Sequence, residues 1–184
     1  MTSINNVNVD AVNATVTKLK SDPSARRMKQ SMRGEWNLSD PSKPQFVALL
    51  KTEKAGEFKL EADQPSPQGG NGLAPGPIPY CLYGIAGCFA ATLATTASLE
   101  KVKISKLSVN VAADMNMSRV FGLSEEPIME KVTLLVDLEL EHVNGSNKEQ
   151  RLQRLVELAE QRCPAAYTLT HGTKLEVKLT RTQD

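Results

Sequence analysis

Apolar positions recur along this chain with periods that change from segment to segment. Val9, Val12, Val16 and Leu19 fall at helical spacing within residues 8–20, and Ser21-Asp22-Pro23 closes the segment, which predicts a short amphipathic helix. A helix of this length is marginal alone and needs a surface to pack on. Residues 25–37 and 45–63 read as strands. Alternation through Arg26, Met28, Gln30, Met32 and Glu35-Trp36 is imperfect, whereas Phe46-Val-Ala-Leu-Leu50 is a clear apolar run. Lys54-Ala-Gly-Glu57 is turn-like, and Phe58–Ala62 alternates again, so an antiparallel meander is expected over 25–63.

Gln64 to Pro79 is rich in proline and glycine, which reads as a linker or a surface loop. A helix is expected to begin at Pro79. Residues 80–99 carry no charge, a length sufficient to cross a bilayer. Its large side chains are few, however, and Gly84, Gly87, Ala90, Ala91, Ala94 and Ser98 recur three or four apart. That composition predicts a helix of a soluble protein, apolar all round and buried on most sides, with Cys88 near its middle. The sheets contributed by the rest of the chain would cover it.

Beyond Glu100 the period becomes two. Leu107, Val109 and Val111 alternate with polar or small residues, while Val102 and Ile104 lie in the opposite phase, which places a bulge near Ser105-Lys106. Residues 114–130 have no clear period and read as a long connection. Val132 to Leu140 alternates best of all, and Asn144-Gly145 reads as a turn. A helix is expected from Asn147 through Leu152, Leu155, Val156 and Ala159 to Arg162, with a short second helix after Pro164. Leu175, Val177 and Leu179 predict a closing strand. The order of elements implies an α+β fold of antiparallel sheets around a long buried central helix. A helical extension (1–24) would precede one domain (25–184), divided into the meander (25–63), the loop (64–79), the central helix (80–100) and a strand–helix–strand half (101–184).

Composition narrows the function. The 184 residues suit one domain with a real core, and 40% hydrophobic with 23% charged residues is ordinary for a soluble protein. A net charge of +1 and only 4% aromatic residues give no footprint for nucleic acid or an anionic membrane. Neither partner is expected. The first residues lack a basic start and an apolar stretch, so no signal peptide is read, and three cysteines then point to a reducing, cytoplasmic setting.

The cysteines are the chemistry-bearing residues. Cys81 and Cys88 lie seven apart on one helix, about 10.5 Å along its axis, beyond the roughly 7 Å between Cα atoms that a disulfide allows. A partner for Cys88 must come from elsewhere, and Cys163 remains. Cys163 precedes a proline at a helix start, where free N–H groups favour a thiolate. Two readings stay open: a peroxidatic and resolving pair brought together by folding, or buried, inert thiols. His142 and His171 read as surface or turn residues, Trp36 as packing. No metal-ligand spacing, phosphate loop, dinucleotide fingerprint or Ser/His/Asp signature occurs, so no metal and no cofactor are expected.

Ile85-Ala-Gly-Cys88-Phe-Ala-Ala-Thr-Leu93, then Leu107-Ser-Val-Asn-Val111, then Arg162-Cys163-Pro164 together resemble the OsmC/Ohr family, the osmotically inducible and organic hydroperoxide resistance proteins. The resemblance covers roughly residues 65–182 and does not extend to residues 1–24. It implies an OsmC-like fold in an intertwined homodimer, with the thiol site at the interface. It also implies an oxidative stress role: Cys88 as the peroxidatic cysteine for an organic hydroperoxide or another small apolar substrate, Cys163 as the resolving cysteine, and an external dithiol as reductant. Family peroxidases carry a glutamate that follows a proline shortly before the reactive cysteine and orients an arginine over the thiolate. Here Ile78 follows Pro77, no carboxylate lies between Asp63 and Cys88, and Arg33 is the candidate arginine. Without that pair the Cys88 thiol stays near its free value of about 8.5, or rises through burial. The alternative is therefore an OsmC-like protein without peroxidase activity, binding a small ligand or carrying other thiol chemistry.

Overall fold

The structure, a computed structural model, describes residues 2–141 and 146–179. It begins with a hairpin that periodicity does not reveal: β1 (Ser3–Ile4) pairs antiparallel with β2 (Val7–Asn8). Its two turn residues, Asn5 and Asn6, have φ of 51° and 60°, the left-handed pair that a tight hairpin requires and that asparagine tolerates. Asn8 then caps α1 (Val9–Ser21), its side chain accepting the N–H of Ala11 at 3.1 Å. Asn5 ties the hairpin to the far end of the fold. Its Nδ2 donates to Ser98 Oγ at 3.1 Å and to Val102 O at 2.8 Å, and its Oδ1 accepts from Ile104 N at 2.8 Å. Ser98 Oγ donates in turn to Ile4 O at 2.8 Å.

The segment expected as a strand over 25–37 is mostly not one. Pro23–Arg26 is a 3-10 turn, and only Gly34–Trp36 forms a strand, β3. The weak alternation there comes from charged and sulfur side chains that no sheet buries; Met28 and Met32 are exposed. β4 (Phe46–Thr52) and β5 (Gly56–Ala62) complete an antiparallel sheet in the order β3-β4-β5. A Cβ at Gly34 would lie 2.1 Å from the Phe46 ring, so any larger residue there would displace that ring. Directly opposed residues share a face, so Ala48 with Leu60 and Leu50 with Phe58 make one side of the sheet apolar.

The central helix α2 runs Pro77–Leu99 and starts earlier than expected. Pro77 and Pro79 both lie inside its first turn, where an N–H has no intrahelical acceptor to lose. Within one chain its burial is one-sided: Ile85, Phe89, Leu93, Thr96, Ala97 and Ser98 are buried, whereas Cys81, Tyr83, Gly84, Gly87 and Ala91 are exposed. By length and composition alone this helix could cross a membrane, as could the core helix of a soluble protein.

β6 (Ile104–Met115) and β7 (Met129–Leu140) form a two-stranded antiparallel sheet, with the expected irregularity between Ile104 and Lys106. Their shared face, Leu107, Val109, Leu134, Val136 and Leu138, packs on Phe89 and Leu93 of α2. α3 (Ser146–Arg162) adds the fully buried Leu155 and Ala159, and α4 (Pro164–Thr170) closes this core with Ala166. Burial of Leu93 and Leu155 contributes about 1.5–3 kcal/mol each. The closing strand is not formed within the chain. Leu175, Val177 and Leu179 are 84–85% exposed and lie in no sheet. Their alternation offers an apolar edge, and among the described residues no strand is paired with it. His142 and the Asn144-Gly145 turn lie outside the described residues.

Candidate active site: two thiols at a helix start

Cys88 stands on α2 one residue before buried Phe89, half-buried at the border between the packed and the exposed face. Cys163, fully buried, is the residue between α3 and α4. It leaves the helical region (φ −72°, ψ 116°) because Pro164 follows, and it serves as N-cap of α4, its Sγ accepting from Ala166 N at 3.5 Å. Docking of α4 on α2 through Phe89, Ala166 and Cys163 brings the sulfurs together across the chain. Cys88 packs against the buried cluster that holds Cys163, where the Ala165 N–H and the Cys163 side chain both act on its thiol.

Proline at the first position of α4 has no N–H, so the next two N–H groups of that turn serve the sulfurs: that of Ala166 donates to Cys163 at 3.5 Å, and that of Ala165 acts on the Cys88 thiol. Sequence reasoning finds free N–H groups at this helix start beside Cys163; it does not show that one of them also serves Cys88. The Cys-Pro step is their signal, since it fixes where the free donors begin. Burial pushes the Cys88 thiol above its ordinary value; the Ala165 N–H works in the opposite sense, and the Cys163 thiol adds to the rise.

Arg33 is not part of this arrangement within the chain. It precedes β3, is exposed, and pairs with Glu35 at 3.0 Å. Trp36, half exposed, lines an apolar cleft of about 320 Å³ with Met32, Phe46, Leu60 and Tyr80. Another groove of about 550 Å³, between β7, α3 and α4, reaches Phe89 and Ala166, but neither sulfur lines it. His171 stacks on Tyr167 with ring centroids 3.9 Å apart and caps α4. Cys81 is exposed one heptad before Cys88. Among the described residues no group of three or more His, Cys, Asp or Glu is placed to hold a metal ion.

A family model described as OsmC-like protein matches residues 69–178, which spans α2, both long strands, α3 and α4. The chain belongs to the OsmC-like family. Similarity to a curated protein from Mycoplasma pneumoniae (strain ATCC 29342 / M129 / Subtype 1), named hydroperoxide reductase, is 27% identity over 107 residues, 56% of this chain and 68% of that protein. Solved structures share the fold. The OsmC-like protein of Mycoplasma pneumoniae superposes with a TM-score of 0.55 at 21% identity, over 79% of this chain and 91% of that one. An organic hydroperoxide resistance protein OsmC from Legionella pneumophila gives 0.52 at 17%, over 79% and 93%. An OsmC-like protein of unknown function from Vibrio cholerae gives 0.57 at 12%, over 77% and 94%. These OsmC-like neighbours match the α+β class with small antiparallel sheets expected from the sequence.

Proposed function

We propose that this OsmC-like protein is a thiol peroxidase that reduces organic hydroperoxides through Cys88 and Cys163. One observation carries the reading: Cys88 and Cys163, far apart in sequence, fold into one buried cluster at the start of α4 and act on each other's surroundings there. In the first step the Cys88 thiolate attacks the terminal oxygen of ROOH. The O–O bond breaks, a proton is taken up, and Cys88 sulfenic acid and ROH result. Condensation with the Cys163 thiol forms the disulfide and releases water. An external dithiol then reduces the disulfide and is itself oxidised to a disulfide. Similarity to the protein named hydroperoxide reductase supports this chemistry.

The working form in this reading is a homodimer in a reducing, cytoplasmic setting. The exposed small-residue face of α2, the bare apolar side of the β3-β4-β5 sheet and the unpaired alternation of Leu175 to Leu179 support it.

The test is to treat the reduced protein with one equivalent of cumene hydroperoxide and take intact and peptide masses within seconds. Loss of two hydrogens mapped to a Cys88–Cys163 link is the expected result. An unchanged mass would favour the second reading, an OsmC-like binding module without peroxidase activity. That reading draws on the raised Cys88 pKa and on Ile78, an aliphatic residue where a carboxylate would orient a cation.

A further inference from the structure

The charge of the chain is not spread evenly. Lys18, Lys20, Arg26, Arg27 and Lys29 fall within residues 18–29 against one carboxylate, Asp22, so five cations oppose one anion there in a chain whose net charge is +1. All five cations are exposed. Among the described residues none of them enters an ion pair; the salt bridges form elsewhere. Asp22 does not neutralise them, because its carboxylate accepts the Ser24 N–H at 2.9 Å and the Ser24 hydroxyl at 2.6 Å and so caps the 3-10 turn. The stretch also lies before residues 69–178, outside the part of the chain that the family match covers.

The fold gathers these charges at one end of α1. Pro23–Arg26 turns back on the helix, and Arg26 Nε donates to Leu19 O at 2.7 Å, beside Lys18 and Lys20 in the last turn. The last carbonyls of a helix attract cations, which accounts for Lys18, Lys20 and Arg26. It does not account for Arg27 and Lys29, which follow the turn and whose side chains make no hydrogen bond or ion pair among the described residues. Apolar side chains stand uncovered among the cations. Met28 is 80% exposed, and Val16, one turn before Lys20 on the same side of α1, is 37% exposed. Averaged over the whole chain the charge gives no footprint for an anionic surface; in this stretch it does.

We propose that residues 16–29 dock this protein on an anionic lipid surface, with Lys20, Arg26, Arg27 and Lys29 against the headgroups and Val16 and Met28 at the acyl boundary. Cations on long flexible stems beside isolated apolar side chains are the two features that such a surface binds together. A nucleic acid would satisfy the cations alone. Residues 1–35 contain no aromatic side chain to stack on a base, and exposed Val16 and Met28 gain no cover from a phosphate backbone. The contact is peripheral and reversible, because a few cations and two apolar side chains fall far short of an inserted helix. Nothing in this surface involves the two thiols.

Co-sedimentation of the intact protein with vesicles tests it, using phosphatidylcholine mixed with phosphatidylserine, phosphatidylcholine alone, and a double-stranded oligonucleotide as competitor. The protein is expected to pellet with the anionic vesicles and stay in solution with the neutral ones. Raising the salt from about 0.1 M to about 1 M shortens the screening length from about 10 Å to about 3 Å and should release it. Each cation near an anionic surface raises binding about fivefold, so Arg27→Gln with Lys29→Gln should lower it at least tenfold. Arg27→Lys with Lys29→Arg keeps the charge and should bind as the wild type does, which separates loss of charge from loss of fold. Met28→Ser should weaken vesicle binding about threefold. No pelleting with anionic vesicles, equal pelleting with neutral ones, undiminished binding in the double glutamine variant or in Met28→Ser, or loss of binding in the charge-preserving pair would each overturn the proposal. Displacement from the vesicles by the oligonucleotide at equal phosphate concentration would overturn it too, and would assign the patch to nucleic acid.

Discussion

Raising the pH should switch Cys88 on late. A free thiol with a pKa of about 8.5 is roughly 3% thiolate at pH 7, and burial, with the Cys163 side chain adding to the rise, holds Cys88 above its ordinary value. Its thiolate fraction at pH 7 therefore falls below about 3%, so its reaction with an electrophile runs at less than about one-thirtieth of its high-pH limit. The sign follows from the direction of the shift: the neutral form is favoured in the fold, so reactivity rises with pH and levels off only above the ordinary thiol range. The assay is timed carbamidomethylation of the native protein by iodoacetamide from pH 6 to 10, with Cys88 followed by peptide mass so that exposed Cys81 serves as an internal comparison. The Cys88 rate should climb about tenfold per unit between pH 6 and 8 and still be rising at pH 9. A plateau by pH 7 would refute the reasoning, since it requires a cation beside the sulfur strong enough to reverse the effect of burial, and Arg33 across a dimer would be the first residue to substitute.

Other expectations bear on the scaffold. Asn5→Ala removes three hydrogen bonds at about 0.5–1.5 kcal/mol each and leaves alanine at φ 51°; urea unfolding should show a loss of about 3 kcal/mol, with Asn5→Gly costing less because glycine accepts that backbone. Leu93→Ala empties a fully buried position between α2 and the core and should cost about 2–5 kcal/mol in the same assay; a loss under 1 kcal/mol would mean the core there is loosely packed. Light scattering should return twice the 20.1 kDa chain mass, and a monomer would remove the argument that a second copy covers α2.

Where one face of an element is buried, its period is plain in the sequence. The alternation of Val132 to Leu140 and the helical spacing of Leu152, Leu155, Val156 and Ala159 recur as β7 and α3, and the Cys-Pro step marks the start of α4. Local backbone demands were harder to read. Asn5-Asn6 makes a two-residue turn between strands too short for any period, so β1 and β2 were invisible to a reading that waits for four alternating residues. Met28 and Met32 counted as apolar in a strand pattern, yet no facing surface in the chain buries them. The tail at Leu175 to Leu179 kept its alternation and found no pairing strand, which a pattern confined to one chain cannot foresee. At the thiols the residue types and the free N–H groups of the Cys-Pro helix start were legible; that the docking of α4 brings them to Cys88, on a distant helix, was not.

The distance in sequence between the two sulfurs also has a consequence for the chain as it is made. Roughly 75 residues separate Cys88 from Cys163, and at about 5–20 residues per second the first thiol leaves the ribosome some 4–15 s ahead of the second. In the peroxidase reading, a sulfenic acid formed at Cys88 during that interval lacks Cys163 as its partner, and overoxidation competes. On that reading, newly made copies are more exposed to overoxidation than finished ones.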